Sequence, residues 1–150
     1  MEHRREIRKI MTAINIIDGI YSQVAKEIGI SENTLALIYA LDDEKHHSQV
    51  DISREWLIPK TTLNSIVMDF ISKGYIKLVP EEHTKEKLIC LTEDGKKYAE
   101  SVLRQIYFME EKAFCETLLD SENFAEDIEN FAQGLKKELK RQKNMNIKKT

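Results

Sequence analysis

The side chains best suited to recognition chemistry follow Pro59. Lys60, Thr61, Thr62, Asn64 and Ser65 place one cation and four short, uncharged hydrogen-bonding groups in a stretch with no acid before Asp69. Asparagine pairs best with adenine, a threonine methyl packs on the thymine methyl, and a lysine near a helix start suits a phosphate. Leu63, Ile66, Val67 and Phe70 recur at helical spacing, so a projection at about 100° per residue turns Thr61, Ser65, Met68 and Ser72 outward, flanked by Thr62 and Asn64. The same face would also serve as an ordinary solvated helix surface. Ser48, at the start of the preceding short helix, and His83, Lys85 and Lys87 further on complete the candidate nucleic-acid contacts.

Catalytic chemistry has no comparable foothold. There is no glycine-rich phosphate loop, nucleophile elbow or metal-spaced histidine motif, so neither an enzyme nor a cofactor is predicted. Cys90 and Cys115 read as reduced thiols, each a small buried apolar group rather than a peroxide sensor. His46-His47 lies in a linker without evident metal-binding partners, and no metal site is predicted.

The elements that must hold the recognition stretch follow from periodicity. The 150 residues are 41% hydrophobic and 33% charged, with only five glycines and two prolines, which favours one mainly helical domain. Ile7, Ile10, Met11, Ile14, Ile17, Tyr21, Val24 and Ile28 mark a long amphipathic helix that stops at Gly29. Ser31 caps a second helix, and the acidic run 42–44 closes it. Ser48 caps a short third helix ending near Trp56 or Leu57, and Pro59 suits the first turn of a fourth, which reaches about Lys73 before Gly74. Residues 75–79 and 87–91 read as a hairpin. Thr92 caps a long helix with acids at its start, and a last helix runs from Ser121 to about Arg141.

The net charge of −3 is unevenly distributed. Residues 92–134 carry eleven acids against four bases, residues 135–150 seven bases against Glu138 alone, and residues 56–79 oppose only Asp69 to three lysines. No apolar run reaches the length of a membrane helix and no signal-peptide pattern is present, so a cytoplasmic protein without a membrane partner is expected.

Three helices with a tight turn, followed by a two-stranded hairpin, make a winged helix-turn-helix, whose second short helix enters the major groove. The run Ser48 to Ser65, then Lys73-Gly74-Tyr75-Ile76, then Ile89-Cys90-Leu91-Thr92-Glu93-Asp94-Gly95 resembles the core of MarR-type transcriptional regulators, and the order of elements, long flanking helices included, is similar to that family's across nearly the whole chain. The sharpest motif is leucine-threonine-x-x-glycine at Leu91, Thr92 and Gly95. Where that family has a turn glycine, a helix-opening serine, a recognition-helix arginine and an Asp-Arg-Arg wing tip, this chain has Leu57, Pro59, Ser65 and His83-Thr84-Lys85. These departures imply modest DNA affinity and weaken the case for a wing arginine in the minor groove.

The expected fold is therefore mainly α (α+β), a winged helix-turn-helix with long N- and C-terminal dimerisation helices. Its expected parts are an N-terminal dimerisation helix over 1–30, a DNA-binding core over 31–95, C-terminal dimerisation helices over 96–142 and a flexible basic tail over 143–150. The apolar stripes of the outer helices predict a homodimer on a pseudo-palindromic double-stranded DNA operator. The resemblance implies a repressor relieved by a small phenolic, aromatic or lipophilic effector, for which Tyr21, Tyr39, Trp56 and Tyr98 are candidate lining residues, although aromatics at helical spacing also serve as core packing. The competing reading is a winged-helix protein-interaction module that has lost strong DNA binding.

Overall fold

A computed structural model describes residues 2–147. Helices α1 (Arg4–Ile28) and α2 (Glu32–Leu41) precede strand β1 (His47–Ser48), helices α3 (Gln49–Glu55) and α4 (Lys60–Ser72), strands β2 (Ile76–Pro80) and β3 (Lys87–Leu91), and helices α5 (Glu93–Thr117) and α6 (Phe124–Ile147). The chain forms two compact units that divide within α5, one reaching Arg104 and the other starting at Gln105.

Local chemistry explains the boundaries. Gly29 ends α1 at φ 85°, its N–H donating to the carbonyls of Ala25 and Lys26, a left-handed cap that costs glycine little. The Ser31 hydroxyl accepts from the Thr34 N–H at 3.0 Å, and that of Ser48 accepts from Asp51 at 3.0 Å, each satisfying a donor at a helix start. The α3–α4 turn passes through Leu57 at φ 53°, the left-handed conformation that glycine adopts most readily. Ser53 Oγ bridges the same turn by donating to the Ile58 carbonyl at 2.7 Å.

In the first unit, Leu37, Ile38 and Leu41 of α2, Ile52 of α3, Ile58, and Leu63, Val67 and Phe70 of α4 are buried together with Ile76, Ile89 and Leu103. The sheet order is β1-β3-β2, all antiparallel, with Ile76 opposite Leu91, Pro80 opposite Lys87 and His47 opposite Ile89. β1 is absent from the sequence reading, because two residues with no alternation carry no periodic signal. In the second unit Leu118, Ile128 and Phe131 are half-buried, while Phe108, Leu119, Leu135 and Leu139 are exposed.

Helix α6 begins at Phe124, three residues after the expected start, and continues past Arg141 to Ile147 through residues with no glycine or proline to stop it. The end of the expected flexible tail, 148–150, lies outside the described residues. Among the described residues, no helix is long and apolar enough to cross a membrane.

Candidate nucleic-acid interface

The recognition stretch forms one helix face. Pro59 precedes α4 at φ −56°, and Leu63, Val67 and Phe70 bury the opposite side, anchoring the helix. Lys60, Thr61, Asn64 and Ser65 are exposed and Thr62 is half-buried; Met68 continues the outer face at 57% exposure. The first turn of α4 carries no acid. Ser65 Oγ donates to the Thr61 carbonyl at 3.1 Å, a bond that uses its proton and not its acceptor lone pairs. The first acid, Asp69, pairs with Lys73 at 2.7 Å and holds that ammonium above its ordinary pKa. Lys73, at the C-terminal cap of α4, is thus held by that helix, and Arg54 is held by Asp51 on α3.

The wing places His83 at its tip with φ 67°, exposed like Lys85 and Lys87, and the Thr84 hydroxyl accepts from the Glu86 N–H at 2.7 Å. Its acids, Glu81, Glu82 and Glu86, are exposed beside them. Ser48 does not join this surface. Its side chain is buried within β1 and at the α3 start, and its hydroxyl is engaged with the N–H and carboxylate of Asp51.

The aromatic candidates divide. Tyr21, Tyr39 and Trp56 line one cavity of about 550 Å³ between α1 and α2, with the Tyr39 and Trp56 rings 5.5 Å apart at 49°. Tyr98 lies elsewhere, stacked on Tyr75 at 4.6 Å and edge-on to Phe70 at 5.8 Å, where it supports the root of the wing. Asp18, Glu32 and Asn33 also line the cavity and escaped sequence reading, since only the turn at Gly29 folds α2 back onto α1.

His47 does not lie in a free linker but in β1, its Nε2 2.8 Å from Asp43 Oδ1. Desolvation pushes the Asp43 carboxyl up, but the His47 ring and the Lys45 N–H outweigh it and hold the group below its ordinary pKa. Among the described residues, no group of three or more His, Cys, Asp or Glu side chains is placed to hold a metal. Cys90 is buried, whereas Cys115 is exposed on α5, contrary to the expected burial. Periodicity alone does not say which side of a 25-residue helix is covered, and Cys115 is exposed like its neighbour Phe114.

No family model and no curated protein matches the sequence. Solved structures do. The MarR family regulator NMB1585 from Neisseria meningitidis superposes with a TM-score of 0.75 at 22% identity, over 91% of this chain and 97% of that one. AbfR of Staphylococcus epidermidis gives 0.66 at 20% identity over 93% and 96%. Staphylococcus aureus MarR, solved with salicylate and kanamycin, gives 0.63 at 16% identity over 93% and 94%. The chain thus has the winged helix-turn-helix fold of MarR-family regulators, with its long flanking helices.

Proposed function

We propose that this protein is a dimeric, sequence-specific DNA-binding transcriptional regulator of the MarR type. The observation that carries the proposal is the N-terminal half of the outer face of α4, exposed, hydrogen-bonding and free of acids before Asp69, seated on a buried apolar stripe in the recognition-helix position of this fold. Thr61, Thr62, Asn64 and Ser65 meet base edges, Lys60 a phosphate, and Lys85 and Lys87 follow the backbone from the wing. Ile16, Ile17 and Ile20 of α1 and Leu135 and Leu139 of α6 remain exposed in the single chain, and pairing with a second copy covers such faces. A two-fold pair sets the recognition helices roughly 34 Å apart, one DNA turn. The protein acts in the cytoplasm as a repressor, and a small aromatic or lipophilic molecule in the Tyr21–Tyr39–Trp56 cavity changes the spacing of the two reading heads.

The test starts from duplexes selected out of a randomised pool. Asn64→Ala relaxes base preference at one position, whereas Lys60→Ala weakens binding to all sequences alike. Equal losses on selected and random DNA for Asn64→Ala contradict the assignment. The second reading, a protein-interaction module, is favoured by the acidic wing and by the lack of any arginine on α4. It predicts binding to a protein partner that is insensitive to salt.

A further inference from the structure

We propose that the cavity between α1 and α2 binds an organic cation with an aromatic or lipophilic body. The inference deepens the effector reading and rests on it, adding the charge of the ligand. The cavity is lined by two carboxylates, Asp18 from α1 and Glu32 from α2, and, among the described residues, by no lysine, arginine or histidine. Its aromatic wall consists of Tyr21, Tyr39 and Trp56, and the Tyr39 and Trp56 rings, inclined at 49°, line the same half-open cavity. Such faces attract cations through their quadrupoles, and quaternary ammonium groups are recognised by aromatic walls of this kind. The volume of about 550 Å³ fits a small organic molecule.

Electrostatics decide the sign. The Ser22 hydroxyl donates to Glu32 Oε1 at 2.6 Å, and Ser22 also lines the cavity, so this carboxylate is held at the wall. The start of α2 contributes about half a positive charge, which two carboxylates outweigh. A phenolate or other anion would meet them as a third negative charge, whereas an ammonium is attracted by both walls and carboxylates.

Trp56 is the single tryptophan of the chain, so its emission reports occupancy directly. The full-length protein is titrated with phenyltrimethylammonium, its uncharged isostere tert-butylbenzene, and benzoate. The cation is expected to bind about tenfold tighter than the isostere, and benzoate more weakly than either. Asp18→Asn, an exposed site on α1, is expected to cut that preference several-fold while tert-butylbenzene binding and the helical circular dichroism stay unchanged; adding Glu32→Gln removes the preference. If the isostere or benzoate binds as tightly as the cation, the charge assignment is overturned while an effector cavity stands. If none of the three alters Trp56 emission at millimolar concentration, the effector reading falls with it.

Discussion

Gly95 lies so close to the backbone of Tyr75 that a Cβ on it would stand 2.0 Å from the Tyr75 carbonyl oxygen. That oxygen cannot retreat freely, because it also accepts the Thr92 N–H at 2.9 Å. The Thr92 hydroxyl in turn accepts from the Gly95 N–H at 3.0 Å and donates to the Gly74 carbonyl. The leucine-threonine-x-x-glycine motif is therefore a clamp between the start of α5 and the α4–β2 turn. Leu91 is buried beneath it.

Gly95→Ala is expected to destabilise the protein by about 3 kcal/mol or more, since backbone rather than a flexible side chain must move. Urea unfolding followed by circular dichroism measures it. A change below about 1 kcal/mol would show that the two segments separate easily.

Leu57→Gly is expected to stabilise the fold. Leu57 is 84% exposed, so little burial is lost, and relief of its left-handed backbone is worth about 1–2 kcal/mol. Extra chain entropy in the unfolded state returns about 0.4–1 kcal/mol, leaving a net gain near 0.5–1 kcal/mol. Loss of stability in the same urea assay would contradict the strain.

These two residues also show what was legible in the sequence. Periodicity and caps revealed the helices, because Ser31, Ser48 and Thr92 each satisfy an N–H that a helix start leaves open. The outer face of α4 was legible too, since its apolar stripe determines the opposite side. Pairing over distance was not: β1 exists only through its register with β3, and Asp18 meets Glu32 across one cavity only after the chain reverses at Gly29. Ser48 misled for a physical reason, as a serine that caps a helix and one that contacts a ligand have the same composition. Tyr98 follows the same logic, its ring taken up by Tyr75 and Phe70 rather than by the cavity.

Sedimentation velocity is expected to return twice the chain mass of 17.5 kDa at micromolar concentration. Ile17 is 51% exposed in the single chain, so Ile17→Lys costs the fold little yet places a charge in the proposed interface. It should shift the protein to monomer with unchanged circular dichroism. A wild-type monomer would remove the dimer.

Cys115 should alkylate slowly at pH 7. Partial desolvation and the neighbouring Glu111 carboxylate push its thiol pKa up, so less thiolate is present than in a free cysteine. Iodoacetamide modification is expected to speed up as pH rises, and Glu111→Gln should accelerate it at neutral pH. Faster reaction than a model thiol would restore a sensor role.

The salt dependence of binding to a selected duplex tests the central claim most directly. Lys60, Lys85 and Lys87 on each of two protomers predict that log K falls against log salt with a slope of about −5, while the selected duplex stays tighter than random DNA throughout. Failure to retain any duplex from a large randomised pool at low ionic strength would contradict the claim that α4 reads bases.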